Sequence, residues 1–129
     1  MIREAVVAAS VVTLAACVGD YGPPQLLPAN YRQMFAQYVA AYARANPDLL
    51  IHDAFISKPF DKSCSLLPGC ITQAVCVRVM VEYKLLFGHV SPSDFFLTVN
   101  YGQIDDLARG TDPCSDLSPF PELMQLVER

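Results

Sequence analysis

The chain has 129 residues, 53% of them hydrophobic, with 9 basic and 13 acidic side chains and a net charge of −4. That length suits one domain with a modest core and excludes two, while the apolar content excludes a disordered chain. The negative balance excludes charge-driven binding to nucleic acid or to an anionic lipid surface, so nucleic acid is not an expected partner.

Near the N-terminus an apolar run from Ala5 to Ala16 closes in Leu14-Ala15-Ala16-Cys17. The run is shorter than the roughly 20 residues that cross a bilayer, but it suits the apolar region of a signal peptide with small residues before the cut. Arg3 is offset by Glu4, which leaves the leader little positive charge. A Leu, two small residues and a Cys resemble the signal of bacterial lipoproteins. The resemblance implies cleavage before Cys17 and acyl chains on its thiol. The competing expectation is a buried N-terminal helix with an incidental cysteine. On the lipoprotein reading, residues 1–16 are a signal peptide, and 17–29 are a lipidated cysteine and flexible tether. Residues 30–129 are then a single periplasmic domain. The anchor is a membrane contact made through acyl chains, of which two or more are needed to hold stably. By resemblance to enteric sorting rules, Val18 after Cys17 favours the outer membrane over the inner.

With Cys17 spent on lipid, Cys64, Cys70, Cys76 and Cys114 form an even set. An exported chain sits in an oxidising space where such a set pairs, and four cysteines allow three connectivities.

In chain order, residues 18–29 are rich in glycine and proline and read as an extended tether. Tyr31 to Ala45 reads as a helix, with Asn30 as N-cap and Gln33 completing a capping-box-like start. Tyr31, Met34, Phe35, Tyr38, Val39 and Tyr42 recur at helical spacing in one apolar stripe, with Arg32, Gln33, Gln37 and Arg44 mostly off it. Asn46-Pro47 ends the helix through a left-handed cap. Leu49 to Ser57 reads as a strand and residues 60–72 as a loop. Gln73 to Phe87 is the clearest strand. Val75, Val77, Val79, Val81, Tyr83 and Leu85 share one face, and Cys76, Arg78, Met80, Glu82 and Lys84 share the other. Residues 88–93 read as a turn, Asp94 to Tyr101 as the partner strand, and Gly102-Gln103 as the start of another turn. The tail is loop-like through Cys114, with a short helix over Phe120 to Val127 led by Pro119 or Pro121.

The expected fold class is α+β, with one N-terminal helix packed on a three-stranded antiparallel sheet and the tail folded back. The valine face meets the helix stripe. Cys76 then lies on the opposite face, where a returning tail brings Cys114. The preferred pairing is therefore Cys64–Cys70 and Cys76–Cys114, the second closing a loop worth about 4 kcal/mol on the chain-entropy model.

Asn46-Pro47-Asp48 after the helix, Val75-Cys76-Val77-Arg78-Val79, the Gly88 turn, and Phe95–Val99 followed by Gly102-Gln103 resemble a family of small bacterial lipoproteins of unknown function. The resemblance spans Asn46 to Gln103. It departs at the Phe87-Gly88-His89-Val90-Ser91-Pro92 turn and in the extra cysteines. It implies an exported α+β lipoprotein and supplies no activity.

No residue set calls for a cofactor. His52 and His89 are the only histidines, and Ser91, Ser93 and Asp94 beside His89 are neighbours in a turn rather than a triad. The cysteine spacings are not those of zinc or thiol-redox sites. Asp105-Asp106 and Asp112 with Asp116 lack the spacing of a calcium loop. The expected role is a non-catalytic binding or scaffolding accessory with an envelope protein partner. The alternative is a small periplasmic hydrolase or hydrolase inhibitor using the His89 turn. A lysis-type peptide lipoprotein is a third reading, opposed by the folded body.

Overall fold

A computed structural model describes residues 26–63, 71–86, 88–107 and 114–128. Helix α1 spans Tyr31–Ala45 and helix α2 spans Pro121–Val127. The strands are β1 Leu49–Ile56, β2 Phe60–Ser63, β3 Ile71–Tyr83, β4 Val90–Asn100, β5 Gln103–Leu107 and β6 Ser118–Pro119. All pairings are antiparallel, in the order β5-β4-β3-β1-β6, with β2 also pairing with β3. The class is α+β as expected. The expected count of three strands is an undercount, corrected by a six-stranded sheet, while the short C-terminal helix expected over Phe120 to Val127 is present as Pro121–Val127.

Strand β3 is the spine. Its valine alternation suits a half-buried pleated surface, and Val75, Val77, Val79 and Val81 all pack into the core with Phe35, Ala36, Val39 and Ala40 of α1. The expected meeting of valine face and helix stripe therefore holds. The buried centre of α1 is Phe35, Ala36, Val39 and Ala40, with Tyr31, Met34 and Tyr38 half-buried around it and Tyr42 exposed at the rim. Ala36 and Ala40, outside the expected stripe, are buried with it.

Several local expectations are corrected. Asn30 sits at the N-cap of α1 but makes no side-chain cap bond. Asn46 has φ −123° rather than a left-handed value, because the following Pro47 disfavours other regions. Its amide still serves the helix end, donating to the Tyr42 carbonyl at 2.8 Å. Strand β3 begins at Ile71 and stops at Tyr83, and a 3-10 turn over Lys84–Leu86 carries Leu85 out to 79% exposure. The valine face thus loses Leu85. Residues 90–93, expected in a turn, already belong to β4. Pro92 is tolerated there because, among the described residues, β5 reaches β4 only from Phe96 onward, which leaves the first half of β4 as a sheet edge. Residues 60–63, expected as loop, pair with β3.

Strands β1 and β2 lie end to end along the same side of β3. Ile56 faces Val77 and Phe60 faces Ala74. At the join, Ser57 donates its N–H to the Cys76 carbonyl at 2.9 Å. Its hydroxyl accepts the Cys76 N–H at 2.8 Å. A side-chain oxygen thereby takes the place of a ladder carbonyl as acceptor for the Cys76 N–H. The β4–β5 hairpin turns on Tyr101 and Gly102, with φ 51° and 77°. Two positive φ values in a two-residue loop match the right-handed twist of the strands.

Candidate functional site

The face of β3 away from the helices holds most of the chemistry-bearing side chains. Residues directly opposite in an antiparallel pair share a face, so Cys76 joins Phe96, Arg78 joins Asp94, and Glu82 joins Val90. Cys76, Phe96, Ala74, Thr72 and Thr98 are buried here although, among the described residues, no helix covers them. Phe60 of β2 meets Phe96 edge-on at 6.2 Å, and the Lys62 ammonium lies 5.5 Å from the same ring. The Thr72 and Thr98 hydroxyls share a hydrogen bond of 3.0 Å, and Thr98 donates to the Gln73 carbonyl at 2.7 Å.

Cys114 completes this cover through its disulfide to Cys76, with Cα atoms 5.6 Å apart. The pairing is the expected one. Cys17, Cys64 and Cys70 lie outside the described residues, and so does Asp112. From Cys114 the chain turns through Asp116, whose φ of 54° is a conformation Asp tolerates well. Ser118 and Pro119 pair with Ile56 and Phe55 of β1, and Phe120 donates its N–H to the Ala54 carbonyl at 3.0 Å. Phe120 and Leu123 then enter the core on the helix face. The C-terminal segment therefore wraps the β1 edge as a clasp, covalent on one face and apolar on the other. Pro121 opens α2 where its missing N–H costs nothing.

An ion pair closes the clasp. Arg32 of α1 donates from Nε to Glu122 Oε2 and from Nη2 to Oε1, the latter at 2.9 Å, and its guanidinium lies 5.4 Å from the Phe120 ring centre. The hydrogen bond from Arg32 holds the Glu122 carboxyl below its usual range.

Farther along the same face, Arg78 donates to both carboxylate oxygens of Asp94 at 2.8 and 2.9 Å. The signal was an arginine inside a valine-rich strand, since a half-buried charge requires a partner. His52, the extra residue of a bulge between Ile51 and Asp53, reaches Glu82 with Nε2 at 2.7 Å from Oε1. Asp94 also lies with both clasp sulfurs, ligand atoms all within 4.8 Å of one another. While the disulfide stands, those sulfurs offer no thiolates to a soft cation.

The residues weighed for hydrolysis are not brought together. His89 is exposed in the turn before β4. Ser91 and Ser93 oppose Val81 and Val79 on the helix side, whereas Asp94 opposes Arg78 on the other. Asp105 and Asp106 are adjacent in β5 and so point to opposite faces. Partial burial raises the Asp106 carboxyl above its usual range. Desolvation, then the neighbouring Tyr83 hydroxyl and the Asp106 charge, raise the Tyr42 phenol.

These features define a small α+β domain whose sheet edge is clasped by a disulfide-tied C-terminal segment. No protein-family model matches the chain, and neither does any curated protein or solved structure. Among the described residues no helix is long and apolar enough to cross a membrane.

Proposed function

We propose that this protein is a cell-envelope lipoprotein, anchored through acyl chains on Cys17 and acting as a non-catalytic binding or scaffolding accessory to an envelope protein. The observation that carries the reading is the apolar run closing in Leu14-Ala15-Ala16-Cys17. The Cys76–Cys114 bond supports it, because such bonds persist in the oxidising space outside the cytoplasm. The polar pairs on the sheet support it too. Arg78 pairs with Asp94, and His52 with Glu82, an arrangement that suits a surface more than a proton-transfer site. By resemblance to enteric sorting rules, Val18 favours the outer membrane over the inner.

Mass spectrometry of the N-terminal peptide from the membrane fraction tests the anchor. The expected product lacks residues 1–16 and carries acyl chains on Cys17; a peptide retaining 1–16 overturns it. The accessory role is tested by cross-linking in cells and recovery through a C-terminal tag. One reproducible partner protein is expected. An acylated protein recovered with none rejects the scaffolding role and points to a small-molecule or cell-wall ligand.

A further inference from the structure

Three side chains with metal-ligating atoms converge on the outer face of β3. The sulfurs of Cys76 and Cys114 and a carboxylate oxygen of Asp94 all lie within 4.8 Å of one another. Each comes from a different segment. Cys76 pairs with Phe96 across the β3–β4 ladder and Arg78 pairs with Asp94, so Cys76 and Asp94 are diagonal neighbours on one face. Cys114 follows Cys76 by 38 residues, which is why no short ligand spacing marks the group in the sequence. The tail that brings Cys114 is also held without the disulfide, by the pairing of Ser118 and Pro119 with β1 and by the buried Phe120 ring. Opening the bond therefore leaves the tail anchored just beyond Cys114.

We propose that, once the disulfide is reduced, Cys76, Cys114 and Asp94 form a binding site for Zn2+. Two thiolates select a thiophilic cation over Ca2+ or Mg2+. The span suits a tetrahedral centre. With Zn–S bonds of about 2.3 Å the two sulfurs stand about 3.8 Å apart, a separation that side-chain rotation reaches across Cα atoms 5.6 Å apart. Three protein ligands leave the fourth position to water. The local charge balances too. Two thiolates and a carboxylate around a dication leave one negative charge, and the Arg78 guanidinium bonded to Asp94 offsets it. Arg78 can keep one carboxylate oxygen while the other takes the cation, which is how an outer group orients a ligand. Cys76 is wholly buried and the Asp94 side chain is 11% exposed, so water screens these charges little.

The reductant comes from outside the chain. A trialkylphosphine and one water convert the disulfide to two thiols, and the phosphine becomes its oxide. The cation then displaces both thiol protons to solvent, so affinity falls as the pH is lowered. The oxidised clasp has no thiolate to offer and takes no Zn2+. The inference rests on the geometry around Cys76 and stands apart from the anchoring reading.

The test uses the full chain carrying Cys17→Ser, Cys64→Ser and Cys70→Ser, reduced with phosphine and then freed of it under argon, so that Cys76 and Cys114 are its only thiols. Co2+ is the spectroscopic probe and Zn2+ the competitor. The reduced chain should bind one Co2+ with thiolate-to-cobalt charge-transfer absorption, and Zn2+ should abolish the band. The oxidised chain should show none. Asp94→Asn should weaken Zn2+ binding at least about tenfold. Zn2+ should raise the thermal midpoint of the reduced chain, or restore its near-ultraviolet dichroism if reduction alone unfolds it, and leave the oxidised chain unchanged. A reduced chain with no charge-transfer band, undiminished affinity in Asp94→Asn, or an equal Co2+ signal from the urea-unfolded chain each overturns the proposal. In a chain that keeps Cys64 and Cys70, Cys76→Ser with Cys114→Ser should remove one bound Zn2+ per reduced chain. An unchanged count there would also reject the site.

Discussion

On one side of β3, Val75, Val77, Val79 and Val81 are at most 2% exposed and meet two helices and the Phe95 and Phe120 rings. On the other side, Cys76 is as deeply buried, yet among the described residues it has no helix above it. Its cover among the described residues includes a disulfide, the Ser57 hydroxyl and one short strand. The helix side is closed by apolar area, which is non-directional and tolerant of small shifts. The outer side is closed by specific bonds, each of which is costly to lose because its partner stays buried. The C-terminal clasp joins the two regimes, with Cys114 on one side and Phe120 on the other.

The largest expected effect lies on the helix side. Phe120→Ala removes a wholly buried ring from the junction of α1, α2 and β1, and should cost about 3–5 kcal/mol. Urea unfolding checks it, and a loss below about 1 kcal/mol would show that the clasp's apolar half is dispensable. Opening the covalent half comes next. Cys76→Ala with Cys114→Ala should cost about 2–4 kcal/mol, mostly by freeing the unfolded chain. The m-value should rise with it, because the cross-link keeps the unfolded chain compact. An unchanged midpoint with and without reductant would reject a stabilising role for the bond.

Ser57→Ala sharpens the contrast at smaller scale. It leaves the buried Cys76 N–H without its acceptor, at a cost of about 1–3 kcal/mol in the same unfolding measurement. A matching loss of hydrogen-exchange protection at the Cys76 amide is expected, and retained protection would assign the bond elsewhere. Thr72→Val with Thr98→Val should cost less than the sum of the single changes, because the hydroxyls are each other's partners. Additive losses would show that the two hydroxyls act independently.

The smallest effect is electrostatic. Glu122→Gln should cost less than about 1 kcal/mol, as the pair with Arg32 is partly solvated. The Glu122 carboxyl is held below its ordinary value of 4.5 in the folded chain. Its contribution is therefore complete above that pH and is lost as the pH falls through the folded value. The stability gap between Glu122→Gln and the parent should thus be widest near neutrality and close in acid. A gap that widens in acid would contradict the sign.

The sequence by itself determined the features that depend on short-range period and local chemistry. The valine alternation of β3, the stripe of α1, the proline start of α2 and the facing of Cys76 toward a returning Cys114 were all readable. Each rests on residues a few positions apart, or on which face a residue must take. Only the tertiary structure decided that Phe60–Ser63, Gln103–Leu107 and Ser118–Pro119 are strands. These segments are too short or too polar to carry a pattern of their own, and they become strands through hydrogen bonds to β3, β4 and β1. The same holds for the chain's turn at Lys84 that exposes Leu85, for the partners of Arg78 and His52, and for the clasp around β1. Their cause is pairing between residues far apart in the chain, whose register emerges only once the sheet is assembled.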